Sequence, residues 1–245
     1  MPLIEEKNFL GDLPTWVTAI ATLLLAALAL FQDFLRRLVW KPKLELDIHP
    51  RPPDFHRTEW AHSILQSVYD ARTKEVVQRT LQLSSPCYYF RIRVMNKGNC
   101  EAKDVEIYAK DLQELVEGEF RSVPRFSPMD LLWADVRTPV LPILIPELPK
   151  LCDLAHMVAP SAKDYLDLDL QGVDKTKAIL VLDLQVTPNS KGHLIGPGHY
   201  RLALALAAAN ATPCEYVLDI TVTGDWYDEA DKMFADGVRF HLRKP

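Results

Sequence analysis

Glycine is scarce in this 245-residue chain, nine residues against eighteen prolines. There is accordingly no glycine-rich phosphate loop and no dinucleotide fingerprint, since both need closely spaced glycines at a strand-to-helix turn. No G-x-S-x-G elbow is present to expose a nucleophilic serine. The four cysteines, Cys87, Cys100, Cys152 and Cys214, never form a C-x-x-C pair. They read as four free and mostly buried thiols, because a chain this long needs no disulfides for stability. Basic excess is missing too: the net charge is -5, which leaves no electrostatic footprint for nucleic acid.

What is there is ordinary globular material, 48% hydrophobic and 25% charged, with length for a real core. One long hydrophobic run stands out, "LPTWVTAIATLLLAALALF" from Leu13 to Phe31, bracketed by Asp12 and Asp33. A helix needs about 20 apolar residues to cross a bilayer, so this run is expected to be a transmembrane helix over residues 13–35. It would follow a short N-terminal segment (1–12) and precede a basic juxtamembrane linker (36–42), with one domain over 43–245. The acidic segment before it does not suit a signal peptide, so the anchor is expected to be retained.

Trp16 and Trp40 would mark the two interfaces. Arg36, Arg37, Lys41 and Lys43 lie on the C-terminal side, which by the positive-inside rule places the large domain in the cytoplasm of a single-pass cell-membrane protein. The lipid bilayer is the first expected partner, with the basic collar resting on anionic head groups. Thr18, Thr22 and Ala26 make a small-residue stripe at helical spacing, the basis for a homo-oligomer through that helix.

Beyond Pro42 the pattern changes to alternation. "KLELDI", "YYFRIRVMN", "AKDVEIYAKDL", "YLDLDL", "AILVLDLQV", "GHYRLALALAAAN" and "EYVLDITVTG" alternate apolar and polar residues, with turn residues between them. Phe90, Ile92 and Val94 answer Val105 and Ile107 across "NKGN", which reads as a tight antiparallel pair. Between 51 and 86 the pattern is poor: "RPPDFHRTEW" reads as a loop, and "SILQSVYDARTKEVVQRTLQL" fits a hairpin and a short helix equally well. The fold class expected is therefore mainly β, an N-terminal transmembrane helix followed by an antiparallel β-sandwich. A short C-terminal helix starts at "DWYDEADKMF", capped by Asp225, with Trp226, Tyr227 and Phe234 closing one end and "GVRFHL" adding a last strand.

"RVMNKGNCEAKDVEI" resembles the V-x-N-x-G-x-x-x-A-x-x-V-x-I pattern of immunoglobulin-like adhesion-type modules. Val94, Asn96, Gly98, Ala102, Val105 and Ile107 occupy its positions. The resemblance implies an immunoglobulin-like sandwich and carries over no catalytic residue. An anchor followed by "PKLELDI" is also similar to bacterial single-pass membrane proteins.

Candidate chemistry is sparse. Cys152 and His156 in "CDLAH" would share a helical turn, but structural zinc needs four ligands and no second pair follows. Asp225, Asp228, Glu229 and Asp231 lack the spacing of a calcium loop and read as the acidic first turn of a helix. His49, His56 and His62 read as exposed loop histidines. No catalytic residue, metal ligand or cofactor site is expected. The proline-rich stretch from Arg125 to Met157 reads as a long loop over a sheet, anchored by Trp133 and Ile143, or as a loop that takes a partner or ligand.

Function follows as an expectation: a membrane-anchored binding or scaffold module, with an unknown protein partner or small ligand. The alternatives are an extracytoplasmic adhesion or envelope module and a small-ligand-sensing membrane effector.

Overall fold

In this computed structural model, residues 15–70, 72, 74–160, 174 and 176–244 are described. "YLDLDL" and the segment 1–12 lie outside the described residues. Contacts divide the chain into two units, residues 1–41 and 42–245.

The first unit holds helix α1, Thr15–Val39. Leu and Ala dominate it and no proline interrupts it, which favours helix over strand. The expected membrane span is corrected here: among the described residues no helix is long and apolar enough to cross a membrane. The charge-free part of α1, Thr15 to Gln32, rises about 27 Å at ~1.5 Å per residue, short of the ~30 Å of hydrocarbon. Asp33, Arg36 and Arg37 continue the same helix.

The second unit is two antiparallel sheets, compatible with a β-sandwich. The first sheet runs β1 (Leu44–Asp47), β3 (Glu75–Asn96), β9 (Lys150–Val158), β10 (Ile179–Leu182) and β11 (Leu194–Ile195). β2 (Phe55–Asp70) joins it on β3, and β7 (Leu132–Trp133) joins on β9. The second sheet runs β14 (Val238–Arg243), β13 (Cys214–Val222), β12 (Gly198–Ala207), β4 (Ala102–Val116) and β5 (Glu119–Ser122). β6 (Met129–Asp130) and β8 (Leu141–Leu144) pair with β4.

Alternation does what the sequence led one to expect, filling one core between the sheets. Phe90, Ile92 and Val94 from β3 meet Val105 and Ile107 from β4, Leu202, Leu204 and Leu206 from β12, and Leu218 and Ile220 from β13, all fully or almost fully buried. The expected hairpin across "NKGN" is not formed, however. β3 and β4 belong to different sheets and face each other across the core instead of pairing. Alternation alone cannot separate these arrangements, because both bury the same face.

Asn96 holds that crossing. Its side-chain oxygen accepts from Lys43 N (3.1 Å) and Gly98 N (2.9 Å), and its amide donates to Cys100 O (2.7 Å) and Leu144 O (3.1 Å). The side chain is fully buried and uses four partners. A second tie joins the sheets where Leu46 N donates to the Tyr216 hydroxyl at 3.2 Å.

The chain end partly follows expectation. β14 forms, and Trp226, Tyr227 and Phe234 pack against the core beside Phe55, Phe90 and Phe240. The short helix is α2, Ala230–Lys232, continued by one π-helical turn over Met233–Gly237. Its N-terminus sits at Glu229 without a side-chain cap, and Asp225 accepts from Lys177 Nζ at 2.7 Å.

The proline-rich stretch is more regular than a draped loop, since it contributes β6, β7, β8 and most of β9. Pro142 is tolerated because β8 is an edge strand paired on one side only, among the described residues.

Candidate functional site

The outward face of the first sheet carries the chemistry. A β-bulge in β9 makes this possible. Phe90 pairs with Ala155 and Arg91 with Asp153, so Leu154 is the extra residue. Leu154 and Ala155 both enter the core. Cys152 and His156 therefore fall on opposite sides of the sheet, where the sequence spacing had placed them on one helical turn. Cys152 packs in the core, and burial pushes its thiol well up.

Register then sets three rows across the outward face. The middle row runs His56↔Tyr89↔His156↔Val181↔Leu194 through β2, β3, β9, β10 and β11. Along it the His56 and Tyr89 rings stack with centroids 5.8 Å apart, and Tyr89 lies 5.6 Å from His156. On one side is an apolar row, Cys87↔Val158↔Ile179, flanked by Trp60. On the other side is a charged row. Asp153 accepts from Arg91 Nε at 2.8 Å and from Arg137 Nη1 at 2.6 Å. Asp54, fully buried, pairs with Arg93 and lies 3.7 Å from His49.

Asp183 follows β10 directly and is fixed by its amide, which donates to Leu154 O at 3.0 Å. Its carboxylate lies on the diagonal from His156, with Oδ1 at hydrogen-bonding distance, 3.0 Å, from His156 Nδ1. His193 reaches the same place from the turn before β11, its carbonyl accepting from Leu182 N at 3.0 Å. Gly192 is needed beside it, since a Cβ there would meet Arg125 O at 2.1 Å.

Three buried polar atoms on this side find no hydrogen-bond partner: His56 Nδ1, Asp183 Oδ2 and His193 Nδ1. Burial holds the His56 and His193 rings below the ordinary imidazole value, with Arg91 adding to the effect at His56 and His156 at His193. Burial also pushes the Cys87 thiol and the Tyr89 hydroxyl up to about 12 each. Cys87 is thus a protonated thiol at neutral pH and no nucleophile. The cluster has an acid–base pair without an attacking group.

A pH dependence follows. The unfolded chain takes up protons on these two histidines as pH falls through about 6.5, before the folded protein does. Stability is therefore expected to fall between pH 7 and pH 5. Calorimetry should show a lower Tm at pH 5.5 than at pH 7.5, with a smaller difference in His193→Gln.

The sequence-predicted residues lie elsewhere. Trp16 and Trp40 are exposed, Arg36 and Arg37 continue α1, Lys41 follows it, and Lys43 pairs with Glu45 at 3.1 Å. Trp133 is fully buried in β7 and Ile143 is half exposed in β8, so the two do not form one surface. His49 lies in an irregular segment, 2.8 Å from Asp47, whereas His56 and His62 stand in β2. Among the described residues no group of three or more His, Cys, Asp or Glu could hold a metal ion. Asp183 and His193 carried no motif. Their one signal was the alternation of "AILVLDL", which puts Asp183 on the face away from Leu182.

No protein-family model matches this chain, and no curated protein is similar to it.

Proposed function

We propose that this chain is a binding module, not a catalyst, and that its ligand carries N–H donors and sits on the outward face beside His156 and Asp183. The observation that carries this reading is the trio of buried, unpartnered polar atoms. A buried acceptor without a donor costs about 1–3 kcal/mol, and a ligand N–H placed there recovers it. The free carboxylate oxygen of Asp183 is an acceptor site, so amines, guanidines and the exocyclic amino groups of nucleobases suit it. Tyr89 and Trp60 supply aromatic surface for a flat or cationic group. An immunoglobulin-like sandwich, as the Asn96 motif suggests, is a rigid scaffold for such a site and implies no reaction.

Attachment to the cytoplasmic face of a membrane belongs to the same proposal. α1 exposes Leu23, Leu25, Leu28 and Leu30, which need apolar cover, and a basic stretch follows in the sequence. Cell fractionation with a reporter after Pro245 checks that part.

Thermal-shift measurements on the full chain test the ligand. The panel is primary amines, polyamines, guanidines and nucleotides at pH 7.5. The expected result is a saturable rise in Tm with at least one class, absent in Asp183→Ala. No shift from any class with the wild-type chain overturns the reading.

A further inference from the structure

Two guanidiniums close on one carboxylate in the charged row. Asp153 is almost fully buried; its Oδ1 accepts from Arg91 Nε at 2.8 Å and its Oδ2 from Arg137 Nη1 at 2.6 Å. Arg91 reaches it from β3. Arg137 reaches it from the turn after β7, which pairs with β9 on the edge that β10 also uses. One arginine would be enough to neutralise Asp153, so the second is surplus to that task. Two guanidiniums against one carboxylate leave one positive charge in excess here, in a chain whose net charge is -5. Arg93 beside them adds nothing to the excess, since it is paired with Asp54. Among the described residues only Arg91 Nε and Arg137 Nη1 are used on Asp153, and the other guanidinium N–H groups remain for a second acceptor. The two side chains are 24% and 58% exposed, so a solute can reach them.

Asp183 stands in the same row, on the other side of β9. Leu182 is level with Ala155, so the residue after β10 comes level with the bulge at Leu154, and its amide bond to Leu154 O fixes that place. Its Oδ2 is the buried carboxylate oxygen without a partner. The face is therefore bipolar. Excess positive charge lies around Asp153, and the free Asp183 oxygen lies one to two inter-strand spacings away, about 5–10 Å at ~4.8 Å each. We propose that the ligand of this face is a zwitterion, with an N–H group on Asp183 and a carboxylate or phosphate on Arg91 and Arg137. This rests on the ligand site proposed above and adds the second charge to it. Guanidinium forks match both anions in plane and in charge. The span excludes an amino acid held by its head group alone, whose amine and carboxylate sit on adjacent carbons. It suits a basic amino acid held through its side chain, or a nucleotide held through its base amine and its phosphate.

Titration calorimetry on the full chain at pH 7.5 tests this with pairs of compounds that differ only in the anionic group. The pairs are agmatine with arginine, cadaverine with lysine, and adenosine with adenosine monophosphate. In at least one pair the acid-bearing member is expected to bind about tenfold tighter or more, because it gains charge-assisted hydrogen bonds from the guanidiniums. Preference within the arginine or lysine pair assigns a carboxylate, and preference within the adenosine pair assigns a phosphate. Arg137→Gln should lower the acid-bearing member to the affinity of its partner, and Arg137→Lys should keep part of the preference. Equal or weaker binding of the acid-bearing member in every pair overturns the inference and leaves the N–H ligand reading standing. A preference that survives Arg137→Gln overturns it too, whether or not both members weaken together, because the arginine then only braces the site. No binding by any of these compounds to the wild-type chain overturns both readings.

Discussion

Asn96→Ala is expected to destabilise the second unit by about 3–5 kcal/mol in urea unfolding, enough to remove much of a typical domain's margin. The side chain is fully buried and all four of its hydrogen-bonding sites are used, by Lys43 N, Gly98 N, Cys100 O and Leu144 O. Alanine leaves these backbone groups without a partner, at about 1–3 kcal/mol for each one that stays buried. Asn210 gives the internal comparison. It braces a neighbouring turn in the same way, accepting from Lys103 N and donating to Glu101 O, both at 2.9 Å, but it is exposed. Water can replace those two bonds, so Asn210→Ala should cost about 1 kcal/mol or less. Equal effects at the two positions would mean that burial does not set the cost, and that Asn96 acts only as a local turn former.

The same asparagine shows what the sequence could and could not disclose. "VMNKGN" marked where one strand ends and the next begins, though not how they are joined, and the alternation on either side correctly marked two half-buried strands. Whether the strands pair or face each other depends on partners far away in the chain. Asn96 reaches Lys43 and Leu144, and no local pattern announces such contacts. The inward residues were legible because their period is fixed by the pleat. The outward cluster was not, because it depends on one bulge at Leu154. Without that extra residue, Cys152 and His156 would share a face, and His156 would lie in the core with no path to Asp183.

The hydrophobic run was legible as a helix and misleading as a span. Its many Leu and Ala residues favour helix, but the decision to cross a bilayer rests on length in ångströms. The charge-free part of α1 falls just short, since Asp33 arrives within the helix and not beyond it. Counting residues from Leu13 had included two positions, Leu13 and Pro14, that lie outside the described residues.

Trp133→Ala is expected to cost about 3–5 kcal/mol, the other large loss in the molecule. The indole is fully buried, and its Nε1–H donates to Val105 O at 3.2 Å. Its own strand is short: β7 has two residues and pairs with β9 only at Leu132↔Asp153 and Trp133↔Cys152. The backbone there also closes a turn, with Arg137 N donating to Trp133 O at 2.8 Å. That turn carries Arg137, whose guanidinium completes the pair around Asp153 on the outward face. Losing the indole therefore opens a cavity between the sheets and loosens the support of the charged row at once. Trp133→Phe separates the two contributions, because it keeps an aromatic ring in the core and removes only the hydrogen bond, for an expected loss of about 1–2 kcal/mol. If Trp133→Ala unfolds at the same urea concentration as wild type, the packing assignment fails. The residue would then have to act through contacts at the surface, which full burial excludes in the folded chain.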